Sequence, residues 1–129
     1  MRKAKAKSEP DFQDVANEYA HRSIANMRES LDNEDKRENI AYEDALDVQV
    51  RADWHNPGDT DGSKPNEYFI LLGTGGPASR ILGELNHYCE PTSAVFQYQD
   101  WFKPWTVAHT TTEEDATLLE YASQFHFGE

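Results

Sequence analysis

The chain has a single thiol, Cys89, and cannot close a disulfide upon itself. It opens on no secretory-type leader, so the expected setting is a reducing cytoplasm. Its longest unbroken apolar run, Tyr68 to Leu72, is five residues, far short of the roughly 20 that a bilayer-crossing helix needs. Basic residues are scarce outside a short tail. Arg2, Lys3, Lys5 and Lys7 stand in residues 1–7 without an acid, and setting those four charges aside takes the formal charge from -12 to -16. Divided at Asp47, the remainder has 12 acids and 4 bases on each side. A body so charged repels nucleic acid and anionic lipid, so neither is an expected direct partner.

What is present is the material of one domain. A chain of 129 residues can bury roughly two-thirds of its unfolded surface without a staple. We divide it into a basic tail over 1–7, a helical region over 8–45 and an α+β unit over 46–129. From Ser8 to Leu31, Phe12, Val15, Ala16, Tyr19, Ile24, Met27 and Leu31 recur at helical spacing. A shorter helix is predicted over Arg37 to Leu46, after a polar break at Asp32 to Lys36. Leu46, Val48, Val50 and Ala52 then alternate with Asp47, Gln49, Arg51 and Asp53, the period of a half-buried strand. His55 to Asn66 reads as a long loop, dense in Gly, Pro, Asp and Asn.

Tyr68 to Leu72 lacks polar alternation and suits a central strand covered on both faces. Strands follow at Ala78 to Leu85 and Ala94 to Gln99, with a turn around Glu90-Pro91-Thr92 between them. Thr111 with Glu114 matches a capping box opening a C-terminal helix, whose inward face is Leu118, Leu119, Ala122 and Phe125 and whose end is expected near Gly128. The fold class is therefore α+β: an antiparallel meander of about four strands, an N-terminal helical region and one C-terminal helix. One helix covers one sheet face, so the N-terminal helix or a second copy of the chain is expected on the other.

Chemistry-bearing patterns are thin. The turn Gly73-Thr74-Gly75-Gly76-Pro77 could let backbone N–H groups approach a phosphate, but it has no Gly-Lys-Ser/Thr and leads into a strand, so a tight hairpin is favoured. His87 with Cys89 and Glu18 with His21 have metal-like spacing without a second half. Cys89 has no base fixed beside it. No catalytic residue, metal or cofactor is expected.

Two features point to binding. On a helical wheel Asp11, Asp14, Glu18, Glu29 and Asp32 fall within an arc of about 60°, opposite the apolar face, with Arg22 and Arg28 flanking. Such a stripe keeps a surface helix in water, and it also forms a row of carboxylates that fits a basic groove built for duplex DNA. The segment Gln97 to Trp105 concentrates Asp100, Trp101, Phe102 and Trp105. Aromatics there are expected mainly as a rim core, with Trp101 or Trp105 left outside as an anchor.

The strings Ile70-Leu71-Leu72-Gly73-Thr74-Gly75-Gly76-Pro77-Ala78, Gly83-Glu84-Leu85, Gln99-Asp100-Trp101, Pro104-Trp105-Thr106 and Phe127-Gly128-Glu129 resemble those of small uncharacterised proteins encoded by bacteriophages, plasmids and integrated elements. The resemblance covers about Val48 to Glu129. It implies a bacterial host cell and the company of small acidic inhibitors of defence nucleases, of anti-CRISPR or antirestriction type. The leading expectation is a non-enzymatic acidic protein, monomer or homodimer, that binds a basic protein surface through Asp11, Asp14, Glu18, Glu29, Asp32, Asp100, Trp101 and Trp105. The alternatives are a small-ligand or nucleotide-binding domain using Gly75, Gly76 and Arg80, and a phage structural or assembly protein.

Overall fold

The computed structural model describes residues 11–60, 64–74, 77–100 and 103–128. In chain order it has α1 (Phe12–Asp32), α2 (Glu34–Glu43), β1 (Asp47–Arg51), β2 (Glu67–Gly73), β3 (Ala78–Glu84), β4 (Val95–Gln99), β5 (Thr106–Val107) and α3 (Thr112–Ala122). The strands form one antiparallel sheet in the order β1-β2-β3-β4-β5. The class is α+β as expected, with β5 in addition to the four predicted strands. Two residues are too short to carry a readable alternation.

Local chemistry sets most of the element ends. The Asn33 side chain accepts from the Lys36 backbone N–H and starts α2, so the polar stretch at Asp32 to Lys36 holds a cap and a first helical turn rather than a break. The capping box at α3 forms: the Thr111 hydroxyl accepts from the Glu114 N–H, and the Glu114 carboxylate accepts from the Thr111 N–H. That helix ends at Ala122 and not near Gly128. Beyond it the chain turns so that Phe125 and Phe127 enter the core, the latter against the Tyr68 ring at 4.6 Å.

Pairing register divides the sheet into two faces. Tyr68 and Ile70 of β2, Ile81 of β3 and Phe96 and Tyr98 of β4 share one face and are buried. They join Ala16, Ala20, Ile24, Met27 and Leu31 of α1, Ile40 of α2 and Leu118, Tyr121 and Ala122 of α3 in one apolar cluster. Tyr19 lies on Phe96 and Tyr98, and Phe12 on Tyr98. All three described helices therefore cover the same face, and the expectation that α1 covers the opposite one is corrected. The stripe of α1 is wide enough to meet the sheet and α3 together, with Ala16 and Ala20 permitting close approach. Salt bridges at 3.0 Å from Arg28 and Arg37 to Glu120 draw α1, α2 and α3 to one side.

On the other face Phe69, Leu71 and Leu82 are half-buried and Val95 and Val107 are exposed. The run Tyr68 to Leu72 is thus central without being covered twice. Among the described residues no second layer lies on that face, and neighbouring side chains shield its outer residues.

Gly83 faces Tyr68 across the β2–β3 ladder. The phenol crosses the missing side chain and donates to the Ser93 carbonyl at 2.7 Å. Burial pushes the Tyr68 hydroxyl's pKa upward, which keeps it a donor.

Candidate functional site

The single-sided helical layer has an electrostatic consequence. The segments 11–44 and 111–122 bring 14 carboxylates to one side against Arg22, Arg28, Lys36 and Arg37, whereas the sheet-bearing segment 45–110 has 8 acids and 4 bases. Charge split evenly along the sequence at Asp47 is uneven in space, because α3 returns to lie with α1 and α2.

Asp14, Glu18, Glu29 and Asp32 are exposed on α1, as is Asp11 at its N-cap. At 1.5 Å of rise per residue, Asp11 to Glu29 spans about 27 Å. Asp32 is held by Arg28 at 2.9 Å. Among the described residues no ion pair takes Asp11, Asp14, Glu18 or Glu29. His21 Nδ1 meets the Glu114 carboxylate at 2.6 Å. Burial pushes the Glu114 pKa up, but the hydrogen bonds from Thr111 and from His21 outweigh it and leave the group below its ordinary range.

Glu120 links the three helices. Hydrogen bonds from Arg28 and then Arg37 hold its carboxyl below the ordinary value of 4.5. A carboxylate whose folded pKa is lowered contributes stability that is complete above its unfolded value and is lost as pH falls through the folded one. The urea midpoint is therefore expected to drop as pH is lowered from about 6 to about 3. In Glu120→Gln that acid-sensitive component should shrink. An unchanged midpoint profile in the variant would remove Glu120 from the account.

The aromatic segment divides between surfaces. Asp100 directly follows β4, and beyond it Lys103 Nζ lies 5.5 Å from the Phe12 ring near the start of α1. Trp105 goes to the opposite, outer face, its ring 4.0 Å from the Arg80 guanidinium. The structure thus carries Trp105 to the face away from the acidic stripe. Trp101, Gly75 and Gly76 lie outside the described residues.

Arg80 donates to the Gln97 side chain at 2.8 Å, and burial lowers its pKa. Stacked by Trp105 and bonded to Gln97, it is occupied within the fold. An open concavity of about 700 Å³ crosses the outer face over Phe69, Leu82 and Val95, from Arg80 to the Arg51, Glu67 and Glu84 end. None of the described residues of the Gly73 to Pro77 turn, Gly73, Thr74 and Pro77, lines it.

One conspicuous residue escaped the sequence reading. Trp54, between the first strand and its loop, is entirely exposed at 102%. The signal was available, in an aromatic set directly before His55-Asn56-Pro57-Gly58, where no further strand could bury it. Among the described residues no group of three His, Cys, Asp or Glu side chains is placed to hold a metal, and no helix is long and apolar enough to cross a membrane. No family model, curated protein or solved structure matches the chain.

Proposed function

We propose that this chain is a non-enzymatic acidic binding protein whose helical layer engages a basic protein surface, such as the nucleic-acid groove of a defence nuclease. The observation that carries the reading is the segregation of charge: 14 carboxylates stand with the three helices against four bases. A row of exposed carboxylates along α1 can occupy sites that otherwise hold phosphates, displacing nucleic acid without any chemical step. The resemblance to proteins of bacterial mobile elements supports the same setting, the cytoplasm of a bacterial host.

Capture from a bacterial lysate tests this. The immobilised chain is expected to retain a basic protein at low ionic strength and to release most of it between about 0.05 and 0.5 M salt, where screening shortens from roughly 14 to 4 Å. Retention that does not change with salt contradicts the proposal.

A further inference from the structure

We infer that β1 is a self-pairing edge, through which two copies of this chain join antiparallel into one continuous sheet centred on Gln49.

The two edges of the sheet differ. At β5 the strand is two residues long, and the Gln13 side chain donates to the Val107 carbonyl at 2.9 Å, so α1 guards that edge. At β1 the strand is five residues, exposed at Asp47, Gln49, Val50 and Arg51, with Val48 alone half-buried. A bare strand edge is a template for another strand.

Which groups it offers follows from the backbone. The Arg51 carbonyl accepts from the Asn66 N–H at 3.0 Å, so Arg51 faces β2. Backbone direction alternates along a strand. Asp47 and Gln49 therefore also face β2, while the N–H and C=O groups of Val48 and Val50 point out to the open edge.

Sequence selects the register. With Gln49 on the twofold axis, Val48 of one copy stands opposite Val50 of the other, and these pairs exchange both their outward N–H and C=O groups. The same register sets Asp47 opposite Arg51 of the second copy, twice. Sliding by two residues one way sets Asp47 against Asp53, and the other way leaves Arg51 facing Ala45. A slip of one residue sets outward groups against inward ones and makes no ladder. Only the centred register satisfies hydrogen bonds and charge together. Arg51 already pairs with Glu67 within its own chain, and its five donors leave a guanidinium N–H for Asp47 of the second copy.

The flanks fit the same geometry. Leu46, 61% exposed, comes opposite Ala52, and Tyr42 and Trp54, 82% and 102% exposed, flank the two ends of the strand. Large apolar side chains at both ends of β1 thereby gain neighbours. No carboxylate of the α1 stripe enters this register, so the inference does not rest on the proposed function.

Sedimentation equilibrium of the full chain tests it. Wild type is expected to shift from monomer to dimer with rising concentration. Asp47→Arg sets like charges opposite one another at both ends, as does Arg51→Asp, and each alone is expected to weaken association at least about tenfold. An equimolar mixture of the two should recover a heterodimer, because every facing pair is again of opposite sign. Val50→Pro removes an outward N–H while sparing the bonds to β2, and should also abolish the dimer. Wild type that stays monomeric at every concentration overturns the inference. So does a dimer indifferent to these substitutions, or a mixture that fails to associate.

Discussion

Gly83→Ala is expected to lower stability by about 3 kcal/mol or more, the loss that follows when a close-packed position is overfilled against groups that cannot yield. A Cβ on Gly83 would stand 2.0 Å from the Ser93 carbonyl oxygen and 2.7 Å from both Cε1 and the hydroxyl of Tyr68. The first of these is backbone, fixed by the segment in which the Thr92 N–H bonds the Glu84 carbonyl. The second is held by its own hydrogen bond to Ser93. Relief requires parting β3 from the segment before β4, and the Tyr68 bond would be lost with it. Gly73→Ala is the control. Among the described residues its Cβ would meet the Ser79 hydroxyl alone, at 3.8 Å, an ordinary contact, and the change should stay within about 0.5 kcal/mol. Urea unfolding of both variants checks the contrast, and equal losses would show that glycine flexibility, not the Tyr68 crossing, matters at these sites.

The second large effect is expected at Phe96, which is 1% exposed and lies where α1 meets the middle of the sheet. Phe96→Ala removes a ring that touches Tyr19 and sits beside Ile81 in the register. Truncations of this kind cost about 3 to 5 kcal/mol, because the surroundings close the cavity only in part. For a domain whose total stability is about 5 to 15 kcal/mol, such a loss should lower Tm by roughly 15 °C. A fall of only a few degrees would mean that the helical layer is not clamped to the sheet at this point.

Much of this architecture is legible in the sequence because it depends on neighbours a few residues apart. The alternation through Val48 and Val50 gives β1, the helical spacing from Phe12 to Leu31 gives α1, and Thr111 with Glu114 gives the start of α3. What is not legible depends on distant residues. An apolar stripe is the same whichever face of a sheet it covers, so nothing local places α1 beside α3. That choice rests on contacts such as Arg28 and Arg37 to Glu120, whose partners lie 92 and 83 residues apart. The crossing of Gly83 by Tyr68 is likewise a matter of strand register, invisible in either residue alone.

The candidate surface was legible in part for the same reason. The exposed carboxylates of α1 follow from its period, and their alliance with the acids of α2 and α3 follows only from the packing. The aromatic segment misled because its residues share a stretch of chain and not a surface. Trp105 settles on Arg80 across the sheet from the stripe, while Lys103 turns toward Phe12 and α1. A protein that binds through its helices should tolerate changes at Trp105 that a protein binding through its outer sheet face would not.

The most direct test compares two variants in titrations against the captured basic protein at low salt. One neutralises the stripe, with Asp11→Asn, Asp14→Asn, Glu18→Gln and Glu29→Gln, and the other strips the outer face, with Arg80→Gln and Trp105→Ala. Four rim charges steer and hold a basic partner at about 0.5 kcal/mol or more each. The stripe variant is therefore expected to bind at least about thirtyfold more weakly, while the sheet-face variant binds as wild type does. Unchanged affinity in the stripe variant, together with loss in the sheet-face variant, would contradict the account.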